Sequence, residues 1–433
     1  SLYTNFASDV VRSLPSSGQP TLGYDAIAPV ARETLIQQAI AIALELQERA
    51  VCATDGSVTW IGMEYLPESG RLQQKPMGYD FYDGASGVAL FLSALAQVTN
   101  NAENRNLALG ALQPLFNLLQ LESVDKQRIL KNIGIGGGKG LGSILYTLVR
   151  CSQFLEEPTL LDHAQSIASL ITPELIGSDR KFDVVSGTAG TIFGLLALYE
   201  AIADPVILEQ ARICGHHLLR HRPASDTGLQ GWKTLNGKLL TGFSHGAAGI
   251  AYALLRLYAV TQDTEFFTAA TDAIAYEQSV FCAIAQNWPD FRSEKPFFSA
   301  SWCHGAPGIG LARLGGLAIL DRDDIHQDIE IALQTTQISG MHEIDHLCCG
   351  NFGRIETLLV GAIQLKRPEL AEIAQKQAAW AVTRAIKGGS FQIFPNRFQG
   401  TYNPGFFQGT AGIGYELLRL ACPEQIPSAL LWQ

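Results

Sequence analysis

The stretch His346-Leu347-Cys348-Cys349-Gly350-Asn351-Phe352-Gly353 sets two adjacent cysteines against a Gly-x-x-Gly. A disulfide between neighbours closes only a cramped ring, so the pair points to another use. Trp302-Cys303-His304-Gly305-Ala306-Pro307-Gly308 has the same layout. Any one of these cysteines could be an ordinary buried thiol. Cys303, Cys348 and Cys349 together, at matched glycine-flanked turns, make a soft donor set for one zinc ion. Three protein ligands leave a fourth position open, which indicates catalysis rather than a structural site. The spacing is unlike the C-x2-C of zinc ribbons.

Other residues at such turns could handle protons. His245, in Gly242-Phe243-Ser244-His245-Gly246, reads as a general acid/base, with a hydrogen-bonded core histidine as the plainer reading. Asp183 is a charge in the apolar run Phe182-Asp183-Val184-Val185. It is either a helix N-cap or a carboxylate that orients a histidine. His304 could be a fourth zinc ligand, a proton-transfer group or a partner of the ligands. Its place directly after Cys303 makes joint ligation awkward and favours a contact to substrate or to an enolate. Trp302 reads as packing. His346 is close to the cysteines but is read as outside the repeat phase.

These turns must be positioned by a repeat. Six segments share a polar residue, a Gly-x-x-Gly and a long apolar helix, with first glycines at 84, 187, 246, 305, 350 and 409. The step of 103 between the first two is about two units, and the glycine-rich run from Gly134 to Gly142 supplies the missing one. That makes seven units, each long enough for two helices. The helix after each glycine motif is apolar nearly all round, as in Ile250-Ala251-Tyr252-Ala253-Leu254-Leu255-Arg256-Leu257, so it must be buried on most faces. The alternate helix is amphipathic. An inner ring of buried helices inside an outer ring of half-buried ones satisfies both patterns. A closed ring also leaves no terminal repeat to shield, as an open solenoid would. The expected fold is therefore all-α, an (α/α)7 toroid of seven helical hairpins with Gly-x-x-Gly at the inner-helix starts. Ring symmetry would bring the residues before each glycine to one mouth.

Composition bounds the rest. In a chain of 433 residues, 47% apolar and 17% charged content implies a large core and little disorder. A net charge of −10 argues against a nucleic-acid partner. No apolar run of about 20 residues reads as a membrane span, and no signal peptide is evident. Eight cysteines in so long a chain do not make a disulfide scaffold, so a reducing cytoplasm is expected. Cys52, Cys151, Cys214, Cys282 and Cys422 read as small buried hydrophobes. Residues 1–29 read as a linker-like start and 30–433 as one catalytic domain, with a helix over Val30–Val51 and a strand or hairpin near Ser57–Met63. The absent initiator Met suggests a piece of a longer protein.

With those residues in hand, the chain resembles the lanthionine synthetase C-like (LanC) cyclases over roughly residues 30–425. Gly242-Phe243-Ser244-His245-Gly246, Trp302-Cys303-His304-Gly305 and Cys348-Cys349-Gly350 carry the resemblance. Gly78-Tyr79-Asp80-Phe81-Tyr82-Asp83-Gly84-Ala85-Ser86-Gly87 looks more like the cyclase region of class II synthetases (LanM) than like free-standing cyclases. Cys348-Cys349-Gly350 replaces the family's usual Cys-His-Gly and resembles a subgroup that holds zinc with three cysteines. The resemblance implies zinc on Cys303, Cys348 and Cys349, His245 as acid/base and Asp183 as its partner. Free-standing cyclases carry a Tyr at the place of His304 and an Arg near the place of Ser299, so the groups that steady an enolate differ here.

The implied activity is addition of peptide cysteine thiols to dehydroalanine or dehydrobutyrine, forming lanthionine and methyllanthionine rings. The implied partners are a dehydrated precursor peptide, leader plus core, and an N-terminal dehydratase domain of the same synthetase, which this chain lacks. Two rival classes remain open. An α/α-toroid hydrolase would need paired carboxylates, for which only Asp83 and Asp183 qualify. A non-catalytic peptide-binding scaffold would keep zinc structurally.

Overall fold

Seven peptide N–H groups, each two residues before a helix-capping glycine, join the repeats into a closed circle. Tyr82 N donates to Gly138 O, Gly138 to Val185, Val185 to Ser244, Ser244 to Cys303, Cys303 to Cys348, Cys348 to Phe407, and Phe407 back to Tyr82, at 2.9–3.3 Å. The computed structural model that contains this circle describes residues 27–66, 71–121, 132–223, 228, 230–394 and 401–433. The linker-like start read over 1–29 lies almost wholly outside the described residues.

The helices of each unit follow from the sequence pattern. The inner ones are α2 (Ala85–Thr99), α4 (Leu141–Leu155), α7 (Thr188–Ile202), α9 (Ala247–Thr261), α11 (Ala306–Gly316), α13 (Asn351–Leu365) and α15 (Thr410–Ala421). Each is capped by a glycine, at 84, 140, 187, 246, 305, 350 and 409. Their residues are buried over almost the whole circumference of their first turns, as an apolar-all-round sequence requires. The outer partners are α3 (Ala102–Gln120), α5 (Thr159–Ala168), α8 (Pro205–Arg220), α10 (Thr264–Ser279), α12 (Asp323–Ile338) and α14 (Pro368–Gly388). A short α6 (Pro173–Ser178) follows α5.

The seventh outer helix is α1 (Arg32–Glu48), from the start of the described chain, which packs on α15. Arg32 Nε donates to Ala421 O at 2.9 Å across that seam. α15 also packs on α2, so the inner ring closes. The all-α toroid of seven hairpins expected from the repeat is the observed fold. The helix expected over Val30–Val51 is α1. Two antiparallel hairpins follow it, β1 (Val51–Cys52) with β2 (Val58–Thr59) and β3 (Ile61–Leu66) with β4 (Arg71–Pro76). The register pairs Cys52 with Val58 and Ile61 with Pro76. The second hairpin extends the strand region beyond the sequence reading.

One cysteine assignment is corrected. Cys52 is exposed on a two-residue strand and Cys282 is half-buried, whereas Cys151, Cys214 and Cys422 are buried as expected. Val-Cys sits in a short edge hairpin, where neighbouring apolar residues do not imply burial.

The glycines are fixed by space. A Cβ on Gly190, Gly249, Gly308, Gly353 or Gly412 would lie 1.8–2.0 Å from the carbonyl oxygen six residues earlier. The loop that precedes each inner helix therefore folds back onto its first turn. Gly412 is helical, so Gly412→Ala suffers no backbone strain but clashes with Phe406 O at 1.8 Å and with Leu347 Cδ1 at 2.8 Å. It is expected to cost about 3 kcal/mol. Thermal unfolding measures this, and an unchanged midpoint would show that the loop yields freely.

Below the circle, aromatic rings fill the axis. Trp432, near the C-terminus, is buried among Phe193, Phe243, Trp302 and Phe407, with ring centroids 5.3–6.2 Å away. Its Nε1 donates to Gly137 O at 3.0 Å. Trp302 is a packing residue, as read. The mouth thus has a closed, apolar floor.

Candidate active site and metal centre

Cys303 and Cys348 occupy the same phase in successive units, and the backbone bond from Cys303 N to Cys348 O, 3.2 Å, holds the two turns together. Gly350 N donates to His346 O at 2.9 Å, which makes the preceding turn tight enough to present Cys349 beside them. The three sulfurs lie within 4.8 Å of one another. Cys303 and Cys348 are buried, while Cys349 opens to solvent. A zinc–sulfur distance of about 2.3 Å sets tetrahedral sulfurs about 3.8 Å apart, so the cluster fits zinc with small adjustment. The donor set is all sulfur, which suits zinc rather than a hard cation. The hydrogen bond with Cys348, then that with Cys349, pulls the Cys303 thiol well below the usual range.

The other candidate ligand group among the described residues is His216, Asp263 and Glu265 on the outer helices. His216 Nε2 is 3.8 Å from Asp263 Oδ2, and all three side chains are partly exposed far from the glycine turns in sequence. It is not part of this site.

His245 and Asp183 meet. His245 Nδ1 is 2.7 Å from Asp183 Oδ2, and Asp183 is buried. The other oxygen, Oδ1, accepts the backbone N–H of Ser186 at 2.7 Å. The carboxylate is therefore both a turn cap and the partner of a histidine, and the two sequence readings are compatible. Phe182 just before it has φ +62°, a region costly for a non-glycine residue. Asp179 Oδ2 accepts Phe182 N at 3.1 Å and the Phe182 ring stacks on His221, which holds the turn. With Nδ1 engaged, Nε2 of the partly exposed His245 is the nitrogen left for proton transfer.

His304 does not join the sulfur cluster. It is buried, with Nδ1 3.3 Å from Thr241 O and 4.0 Å from Asp290 Oδ2. Nε2 is buried without a hydrogen-bond partner. Burial, opposed by Cys303, holds its pKa below the usual value, so its ring is neutral at pH 7. The His245 and His304 rings stack with centroids 6.1 Å apart. The two histidines thus lie side by side, one wet and one dry.

Three residues, Tyr82, Arg292 and Arg354, escaped the sequence reading, and His346 was placed near the cysteines but in the wrong phase. Tyr82 Oη lies 3.0 Å from Cys348 Sγ, its ring stacked on Phe407 and covered by Lys139 Nζ. Tyr82 stands two residues before its glycine, the phase of Cys303 and Cys348, so position alone could have flagged it. His346 stands four before its glycine, the phase of Asp183, so the reading of it as outside the repeat is corrected. Its Nδ1 accepts the Cys349 N–H at 3.5 Å, and burial pushes its pKa down to about 4. Arg292, ion-paired to Asp290 at 2.7 Å, is within electrostatic reach of Cys303 and Cys348. It brings a cation to the site from another part of the loop than the place of Ser299. Ser299 instead hydrogen-bonds Ser301, whose Oγ is 3.2 Å from Cys303 Sγ. Arg354 is buried beneath Cys349 in sequence, on the first turn of α13.

A closed seven-unit toroid with three thiols and a His–Asp pair at one mouth defines a class in which glycine turns position the polar residues. A family model described as lanthionine synthetase C-like protein matches residues 75–431. The chain belongs to that family. A curated relative is the lacticin 481/lactococcin biosynthesis protein LcnDR2 of Lactococcus lactis subsp. lactis, 22% identical over 284 residues, 63% of this chain and 27% of the relative. The chain therefore spans about a quarter of that relative's length. Among solved structures, nisin cyclase is similar at 18% identity and a TM-score of 0.58, covering 80% of this chain and 88% of that one. That likeness concerns the fold. No helix among the described residues is long and apolar enough to cross a membrane.

Proposed function

We propose that this chain is a zinc-dependent lanthipeptide cyclase, the ring-forming part of a class II synthetase. Its substrate is a precursor peptide, leader plus core, in which Ser and Thr have been dehydrated by a dehydratase domain. The observation that carries the reading is the trithiol cluster and the His245–Asp183 pair on neighbouring glycine turns, joined by the hydrogen bond from Ser244 N to Cys303 O. Family membership and the similarity to nisin cyclase and LcnDR2 support it.

Cys303, Cys348 and Cys349 would hold the zinc, with Cys349 on the solvent side. Zinc supplies a lowered thiol pKa, so a peptide cysteine is presented as thiolate at neutral pH. The sulfur lone pair forms a C–S bond to the β-carbon of dehydroalanine or dehydrobutyrine. The alkene pair moves through the α-carbon onto the carbonyl oxygen as an enolate. His245 Nε2 delivers a proton to the α-carbon, restoring the carbonyl, and Asp183 stabilises the charged imidazole through Nδ1. Arg292 and the neutral His304 supply positive charge and a dry wall where the enolate charge develops.

The test is incubation with a dehydrated, cysteine-containing peptide, followed by thiol alkylation and mass spectrometry. Ring closure leaves the peptide mass unchanged and removes the alkylatable thiol. A chain that holds one zinc yet leaves every thiol alkylatable would be a binding scaffold, and the proposal would fail.

A further inference from the structure

Three buried polar side chains outside the glycine motifs each bridge the two ends of a turn that carries a site residue. Asp179 Oδ2 accepts Phe182 N at 3.1 Å and Thr188 N at 2.8 Å, on either side of Asp183. Asn287 Nδ2 donates to Ser299 O at 3.0 Å and its Oδ1 accepts Ala306 N at 2.8 Å, on either side of Cys303. Glu277, near the end of the outer helix α10, does the same for His245. Its Oε1 accepts Gly242 N at 2.9 Å and Ala248 N at 3.1 Å, and His245 lies midway between them. Ala248 is in the first turn of α9, where a peptide N–H has no partner within the helix.

Glu277 differs from the other two in what holds it. It is fully buried, and its Oε2 accepts from Arg313 Nη2 at 2.8 Å. Arg313, also buried, belongs to α11, the inner helix that follows the Cys303 turn. Its Nε donates to Asp328 Oδ2 of α12 at 3.1 Å. Charges buried together in this way resist displacement, because breaking one contact strands the partner charge in the core. Gly242, at φ +97°, packs on the same neighbouring unit: a Cβ there would lie 2.7 Å from Cys303 O. The His245 turn is therefore tied to the Cys303 unit twice, by Ser244 N to Cys303 O at 3.2 Å and by the Glu277–Arg313 pair.

We propose that Glu277 is a positioning residue for ring closure, which through Arg313 sets the His245 turn against the Cys303 unit. His245 Nε2 is thereby held in register with the α-carbon of a peptide bound at the thiols. The carboxylate is spent on Gly242, Ala248 and Arg313, so its effect on the reaction runs through His245. The inference rests on the cyclase reading of the site.

The experiment is a four-protein cycle on the full chain: wild type, E277Q, H245N and E277Q/H245N, each given the dehydrated, cysteine-containing peptide. E277Q keeps the shape and one acceptor oxygen and replaces the charge that faces Arg313 by an amide. It is expected to keep zinc and to leave KM within about twofold while kcat for thiol loss falls on the order of ten- to a hundredfold. Its product should contain some of the other configuration at the α-carbon. In the H245N background the same change is expected to cost less than about threefold, since the group it positions is gone. Equal losses in both backgrounds, or an unchanged kcat with one configuration in E277Q, would mean that Glu277 only braces the core, and would overturn the proposal. If E277Q does not fold, the same cycle is run with R313K, which keeps the charge beside Glu277 without the fork that also grips Asp328. A smaller loss, still confined to the His245 background, is then expected, and equal losses or none again overturn it. A wild-type chain that leaves every thiol alkylatable sinks the cyclase reading itself, whereas ring closure without coupling between Glu277 and His245 sinks only the assignment of Glu277.

Discussion

Cys349→Ala is expected to remove zinc and ring formation together. The three sulfurs lie within 4.8 Å, and no histidine or carboxylate joins them among the described residues, so nothing can replace the lost ligand. Losing one of three thiolates should weaken zinc on the order of 3 kcal/mol, a hundredfold or more. Truncating Cys303 or Cys348 would confound this with a buried cavity. Cys349 is exposed, so its truncation empties no core space. The apo fold should therefore keep its thermal stability while zinc per chain falls towards zero. Cys52→Ala is the matched control, because Cys52 is exposed on β1 in a different part of the molecule. Full metal occupancy with normal ring formation in Cys349→Ala would sink the ligand assignment.

What the sequence made legible was the phase of the repeat, and the reason is physical. In six of the seven units the capping glycine and its partner three residues on are needed for backbone contact, so they cannot drift. Cys303, Cys348 and Cys349, His245 and Asp183 could be read because they hold fixed offsets from those glycines. The degenerate unit was also readable, since Gly138 fills the Tyr82 and Cys348 phase in the hydrogen-bonded circle. Chain order concealed the closure. The outer helix of the last unit is α1, joined to α15 by a contact spanning 389 residues. No local pattern in Arg32–Glu48 reports that partner. The strand Arg71–Pro76 was missed because RLQQKP has little β preference of its own.

Within the site, the missed residues share a cause. Arg292 reaches the sulfurs from outside the glycine motif, through its pair with Asp290, so no offset announced it. Tyr82 was in phase, yet tyrosine is not a usual thiol partner, and His346 was read as near the cysteines without its phase being recognised. His304 was in phase and of the right type. Its Nδ1 nonetheless lies 3.3 Å from Thr241 O and the ring does not join the three sulfurs, so its place in the repeat did not fix its role. Offset from the glycine locates a residue on the mouth, and side-chain partners then decide what it does.

His245→Asn is expected to leave zinc in place and to slow ring closure by about 10²–10⁴-fold. Asparagine can still donate to Asp183 from its amide nitrogen, so the turn that carries residue 245 and the buried carboxylate keep their hydrogen bond. What disappears is Nε2, the only ring nitrogen free of Asp183 and open to the mouth. Addition of the thiolate to the β-carbon is not itself a proton transfer, so bond formation should remain possible and reversible. Without the imidazolium, the enolate must take its proton from water, which reaches both faces. The product should then contain both configurations at the α-carbon, whereas the wild-type chain is expected to give one. His304 is not positioned to substitute, because its ring is buried and its Nε2 is enclosed. Chiral analysis of the hydrolysed thioether amino acids, beside zinc content and the rate of thiol loss, reads all three expectations. A variant with wild-type rate and a single configuration would remove His245 from the chemistry and leave its bond to Asp183 as a purely structural one.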